Sequence, residues 1–478
     1  MKKLTVVCIL LAVTASVLNA RIVLPSVISD NMVLQQKTEA AIWGKAEPGS
    51  KVRISAGWTK DVLTVKADSR TGKWSAGLVT PEAGGPYDIS ISDGEETVLR
   101  NVLIGEVWFC SGQSNMEMPM KGYGSQPAKG ATDFIIRAKS SRPIRICNIR
   151  RISSTKVLDK SEGNWQEHTP SVVAGTSATA YYFAEALQSV IDVPVGIIVT
   201  CWGGSSIETW IPREYMEKDF PEFSYGHLDG TEEVKKNNQD PCLLYNGQVA
   251  PLVPYTFKGM IWYQGETNRS RPEQYIRLQE TYVRSMRELF RVPDAPFYFV
   301  QIAPFSYWKG NEDKWDSGYF CEAQQKSLSV IPHSGMAVTC DIGEFGTIHP
   351  CRKEEVGFRL ALLALRHDYG MDAIEADAPT YKSVEFKDGK AFITFNVDEL
   401  GISPSGADIE GFEIAGEDRI FHKATARRTD NFTISVSSPE VSAPAAVRYC
   451  FRNWCKGGLY NNYGIPAAPF RTDNWQLK

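Results

Sequence analysis

Five apolar runs, each ending in a turn of small, polar or amide residues, constrain this chain more than any other feature. They read "NVLIGEVWFCSG", "VPVGIIVTCWGG", "KGMIWYQG", "PFYFVQIAP" and "GMAVTCDIG". Runs with so little polar alternation are strands buried on both faces. Helical periods lie between them. In "ATAYYFAEALQSVID" the residues Ala180, Phe183, Ala184, Leu187, Val190 and Ile191 share a face. Tyr275, Leu278, Tyr282 and Leu289 do so in the stretch beginning at Pro272, a residue suited to a helix start. Val356, Leu360 and Leu363 do so ahead of Gly370, which suits a helix end. Strand and helix in this rhythm predict a parallel sheet with helices on both faces.

The two ends follow a different period. From Arg21 to about Asn101, stretches such as "KVRISAG" and "YDISISDG" alternate apolar and polar residues between Gly, Pro and Asp. After about Ala378 alternation returns in "SVEFKDGKAFITFNV" and "FTISVSS". At 478 residues the chain is too long for one core. It divides into a leader at 1–20, an antiparallel β domain at 21–101, an α/β domain at 102–375 and a β-rich region at 376–478. The segment from Gly122 to Thr176 is irregular and reads as an insertion over one face.

The leader "MKKLTVVCILLAVTASVLNA" joins a basic start, an apolar stretch and a small-residue close, the pattern of a signal peptide cut after Ala20. No later run is long and apolar enough to span a membrane, so an exported protein is expected. Loss of Lys2 and Lys3 takes the net charge from -4 to -6, which argues against nucleic acid as a partner. Ten cysteines are present. They show no metal-ligand spacing such as CxxC, and Cys450 and Cys455 are near enough in sequence to form a bridge. Buried thiols with one or two disulfides are the expectation. Neither a metal ion nor a cofactor is expected.

In an open parallel sheet, reactive groups gather beyond the carboxyl ends of the strands. There the sequence places "SGQSNM", "CWGGSSIETW", "YQGETN" and "DIGEFGTIHP". Acyl transfer needs a nucleophile, a base, oxyanion donors and a group that orients the base. Ser114 can attack and His349 can take its proton. The backbone N–H groups of Ser114 and of Gly203 or Gly204 can face the oxyanion, and so can an amide from Asn268 or Gln264. Each residue has a plainer use when taken alone: Ser114 as a helix N-cap, His349 as a structural residue before Pro350, the glycines in a turn, Asn268 as a cap. Together on one rim, the catalytic reading outweighs them. Met116 stands where a GxSxG elbow would need its second glycine, which argues against an ordinary α/β-hydrolase.

"GQSNM", "WGGSSIETW", "WYQGETN" and the late "IHP" resemble the sialate O-acetylesterases of the SGNH hydrolase superfamily, and "ISDNMVLQQ", "GNWQ" and "LYNNYGIPAAPFRTD" extend the likeness through most of the mature chain. The resemblance implies an SGNH-type core and removal of O-acetyl groups from sialic acids or other acetylated glycans. It matches Ser114 to the nucleophile, His349 to the base, and Gly204 and Asn268 to the oxyanion donors, with Gln264 an alternative in the same turn. Glu266 either orients neighbouring amides or is a structural acceptor. One departure stands out. Related sequences place an aspartate two or three residues before the histidine, where this chain has Thr347 and Gly346. Glu344, ahead of Asp341, is the expected substitute, and a Ser–His dyad is the alternative. Trp202 and Trp210 are candidates to pack against a sugar ring, or ordinary core aromatics. Two rival functions stay open: an acetylesterase of plant polysaccharide such as acetylated xylan, and a glycan-binding protein on a dead esterase scaffold.

Overall fold

The structure, a computed structural model, describes residues 22–475. The leader at 1–20 lies outside the described residues. The core sheet is built from β1 (Glu96–Gly112), β2 (Ile144–Asn148), β3 (Val195–Cys201), β4 (Gly259–Tyr263), β5 (Phe297–Val300) and β6 (Ser334–Ala337). Their order is β6–β5–β4–β1–β3–β2, and every neighbouring pair is parallel. Gly112 pairs with Cys201 on one side and Tyr263 on the other, so the carboxyl ends of the three central strands form one rim.

The main helices are α1 (Ser114–Glu117), α2 (Ala178–Ile191), α3 (Pro272–Leu289), α4 (Asp316–Val330) and α5 (Lys353–Asp368). Both faces of the sheet are covered, as the continuous apolar runs require. Phe109 faces a core shared with Tyr275, Leu278 and Phe320 of α3 and α4. Trp108 and Cys110, pointing the other way, join Phe183 and Leu360 of α2 and α5. Helices α2 and α5 pack closely because Gly357 has no side chain, since a Cβ there would lie 2.5 Å from Tyr182 Cβ. Val190 departs from expectation and is 45% exposed. At 100° per residue it sits at the edge of the helix's apolar stripe, about 80° from Ala180.

Strand β1 joins the N-terminal β domain to the core. Its first half pairs with Gly84–Ser92, and its last residues pair with β3 and β4. The boundary drawn at Asn101 therefore falls inside one strand. Asn101 takes a left-handed conformation (φ 56) beside an irregularity in the pairing. The segment 122–176 also differs from expectation, because it contributes β2 to the core sheet. Arg145 interrupts that short apolar run. It is buried, and its guanidinium lies 3.5 Å from Glu167.

The C-terminal region is antiparallel, as its alternation predicts. Four-stranded sheets pair Thr380–Lys387 with Lys390–Asn396 and Phe412–Ala415 with Ala446–Tyr449 around a separate apolar cluster. It is tied to α4, where Arg471 meets Glu322 and Asn453 accepts from the Ser317 backbone. The cysteine expectation is corrected: all nine described cysteines are free thiols, Cys450 and Cys455 included. The Cys455 thiol points at the Gly411 carbonyl oxygen at 4.0 Å, and Cys450 is buried nearby, not bridged to it.

Candidate active site

Ser114 stands just past the end of β1. The chain turns there because Gly112 adopts φ 148, and a Cβ on it would lie 2.2 Å from the Tyr263 carbonyl oxygen. Gln113 follows in extended conformation. Its N–H donates to Tyr263 O (3.0 Å), and its Oε1 accepts from Gly265 N (3.2 Å). Gln113, not Ser114, occupies the N-cap position of α1. Ser114 is the first helical residue, and its Oγ has no hydrogen-bond partner among the described residues. The capping role that competed for this serine is therefore taken from it.

Gly203 packs against the serine, and a Cβ there would lie 3.3 Å from Ser114 Cβ. The glycine pair does not act as one unit. Gly203 N–H is spent on Glu117 Oε2 (2.8 Å). Gly204, in the left-handed region at φ 72, keeps its N–H without a partner among the described residues. The peptide between them is fixed because Asn238 Nδ2 donates to Gly203 O at 2.8 Å. A trans peptide points its C=O and its N–H in opposite directions, so the Gly204 N–H faces away from Asn238.

The two amides also separate. Gln264 spends both Nε2 protons, on Ser205 O (3.1 Å) and on Asn268 Oδ1 (2.7 Å). That leaves it no donor for an oxyanion, which corrects its place among the candidates. Asn268 donates one Nδ2 proton to Glu208 Oε2 (2.8 Å) and retains the other. Its Oδ1 also accepts from Ile207 N at 3.0 Å, fixing the "SSIE" loop.

His349 is neutral and oriented. Its Nδ1 lies 2.7 Å from Gln126 Oε1. An amide oxygen only accepts, so the proton sits on Nδ1 and Nε2 carries the free lone pair. Burial lowers its pKa to about 4, with the charge of Lys353 adding to the effect. Neither carboxylate expected to orient the ring does so. Glu344 Oε1 accepts from Cys351 N–H (2.6 Å). Asp341 is held bidentately by Arg359 at 2.8 and 2.7 Å. The orienting group is the amide of Gln126.

Sequence reasoning missed four residues. Tyr123 and Gln126 form a tight turn, each N–H donating to the other's carbonyl (2.9 and 3.1 Å). Tyr123 Oη donates to Ser114 O (3.1 Å), and its ring meets the His349 ring edge-on at 5.3 Å. One turn thus touches both the serine and the histidine. Asn115 and Lys353 lie beneath it, both fully buried. No motif flagged them, because Tyr123 and Gln126 sit in the segment taken for an insertion, and a lysine opening a helix reads as solvated.

Of the two tryptophans, Trp210 belongs to the core: it is buried and donates from Nε1 to Ser205 Oγ at 3.0 Å. Trp202 is half-buried beside the glycine pair, with the Arg151 guanidinium 5.8 Å from its ring centroid. Cavity size does not mark the site, since clefts of about 880 and 840 Å³ are lined by none of these catalytic candidates.

A parallel sheet with an unpartnered serine and a neutral histidine in its rim loops has the layout of a serine esterase of the SGNH type. Residues 104–350 match the family described as "SASA: Carbohydrate esterase, sialic acid-specific acetylesterase". The chain is 27% identical to the sialate O-acetylesterase of Homo sapiens over 496 residues, covering 93% of this chain and 91% of that one. It is 26% identical to the sialate O-acetylesterase of Mus musculus over 513 residues, covering 93% of each. In three dimensions it is similar to the crystal structure of a carbohydrate acetylesterase from Xanthomonas citri. That match has a TM-score of 0.84 and 34% identity over 95% of this chain and 100% of that one. This chain belongs to the carbohydrate esterase family of sialic acid-specific acetylesterases.

Proposed function

We propose that this carbohydrate O-acetylesterase works through Ser114 and His349 and that its acceptors include O-acetylated sialic acids. Ser114 Oγ attacks the acetyl carbonyl while His349 Nε2 takes its proton. The N–H groups of Ser114 and Gly204, with the remaining amide proton of Asn268, receive the oxyanion. His349 then protonates the departing sugar hydroxyl. Water attacks the acetyl-enzyme with His349 again as base, releasing acetate. The observation that carries this reading is the Tyr123–Gln126 turn, which meets the Ser114 carbonyl through Tyr123 Oη and holds His349 as the Nδ1–H tautomer through Gln126.

The sialic acid part rests on the names of the mammalian relatives. The Xanthomonas citri relative, a carbohydrate acetylesterase, supports acetylated polysaccharide as the second reading. The oriented base counts against a dead scaffold that only binds glycan. Among the described residues no helix is long and apolar enough to cross a membrane. With the first twenty residues read as a signal peptide, we place the enzyme outside the cytoplasm.

The test has two steps. Wild type should hydrolyse a chromogenic acetate ester, and Ser114→Ala should lose that activity. Equal rates would sink the mechanism. Acetate release from O-acetyl sialoglycans and from acetylated xylan is then compared, and release from xylan alone would replace the sialic acid reading.

A further inference from the structure

Ser114 and His349 are 235 positions apart in the sequence, yet one buried side chain joins the segments that carry them. Asn115 follows the serine directly and is fully buried. Its Nδ2 donates to the carbonyl of Ile348, the residue before the histidine, at 3.0 Å, and to Glu266 Oε1 at 2.7 Å. Its Oδ1 accepts from Lys353 Nζ at 2.5 Å. Its backbone carbonyl accepts from Thr179 Oγ1 at 3.1 Å. Both amide protons and the amide oxygen are therefore committed, and the amide cannot flip without losing all three contacts.

We propose that Asn115 is a positioning residue that clamps the nucleophile turn to the base loop, and that Lys353 and Glu266 hold it in the one orientation that does so. This rests on the reading of Ser114 as nucleophile and His349 as base. Lys353 opens α5, buried, with its ammonium 5.4 Å from the centroid of the Tyr263 ring. A buried ammonium is costly and is retained where it is paired. Here its hydrogen bond goes to Asn115, while Glu266, Glu344 and Cys351 face it electrostatically. Burial lowers its pKa to about 7, against the pull of those acids. Toward His349 stand Lys353, the Tyr123 ring and the Gln126 amide. The ammonium thus has two effects: it locks the Asn115 amide, and it disfavours protonation of the base.

The experiment compares Asn115→Asp, Lys353→Met and Glu266→Ala with wild type on an acetate ester, in variants shown to be folded by circular dichroism. Asn115→Asp replaces the donor with an acceptor, so the bond to Ile348 O is lost. It should lower kcat roughly ten- to hundredfold with KM little changed, the signature of misplaced reacting groups. Glu266→Ala should do the same to a smaller extent. Lys353→Met should lower kcat and also move the acid limb of the pH profile upward, which a merely structural lysine would not do. Wild-type kcat in Asn115→Asp, or an unmoved acid limb in Lys353→Met, overturns the proposal. If one variant fails to fold, the other two decide by the same criteria. Ser114→Ala separates the two levels: full activity there removes the catalytic reading itself, whereas a dead Ser114→Ala beside fully active clamp variants removes only the clamp.

Discussion

His349 donates from Nδ1 to Gln126 Oε1 at 2.7 Å, so the imidazole is oriented by a neutral amide. A carboxylate in that place would fix the tautomer and also stabilise the imidazolium formed during attack. Gln126 does the first and not the second. Gln126→Ala removes a neutral hydrogen bond of about 1 kcal/mol and should lower kcat roughly fivefold. Gln126→Glu supplies the missing charge, raises the pKa of His349 and shifts the acid limb of kcat/KM to higher pH. Steady-state kinetics on an acetate ester across pH checks both. An acid limb in Gln126→Glu at the wild-type position would show that the ring is held by something else.

The wild-type pH profile follows from the same imidazole. An ordinary histidine loses its base form near pH 6.5, but His349 is lowered to about 4 by burial and by Lys353. Activity should therefore hold level from pH 7 down to about 5 and fall only near 4. Stability moves with a defined sign. The unfolded chain takes up this proton near pH 6.5 and the folded chain only near 4, so this contribution is lost as pH falls between them. A loss of kcat/KM centred near 6.5 in the wild type would contradict the assignment.

Asp341 gives a stability prediction separate from chemistry. Arg359 grips it bidentately, and the two side chains are 4% and 8% exposed. Arg359→Met would leave a buried carboxylate alone, at a cost of about 3–5 kcal/mol. Denaturant unfolding should show that loss. Replacing Asp341 and Arg359 together with apolar residues should recover most of it, because no unpaired charge remains.

The core of this chain was legible because its central strands are buried on both faces, and such runs have no other reading. Ser114, His349, Gly204 and Asn268 were candidates from the sequence because each lies just beyond one of those runs. What orients His349 was not legible. The expected signal was a carboxylate shortly before His349 in sequence, and Glu344 was the nearest one before it. The contact instead comes from Gln126, more than two hundred residues earlier, in a turn with no periodicity. Asn115 shows the same limit. Nothing in "GQSNM" says that its amide reaches Ile348, because hydrogen bonds between loops leave no pattern in a linear sequence. Strand β2 was missed for a related reason: one buried arginine, Arg145, broke the apolar run that would have marked it.

Gly203 tests how closely the rim is packed around the serine. A methyl group there would meet Glu117 Oε2 at 2.9 Å and Ser114 Cβ at 3.3 Å. The carboxylate can give way, since it ends a side chain that also pairs with the exposed Arg151 at 3.0 Å. The serine can give way only by moving its own backbone, which α1 and the Tyr123 hydroxyl hold in place. Gly203→Ala should therefore fold, with a stability loss of about 1 kcal/mol. Its kcat should fall roughly tenfold or more, because the nucleophile is displaced by a fraction of an ångström. Thermal unfolding beside acetate-ester kinetics separates the two effects. A variant destabilised but catalytically intact would mean that the glycine serves the turn and not the serine.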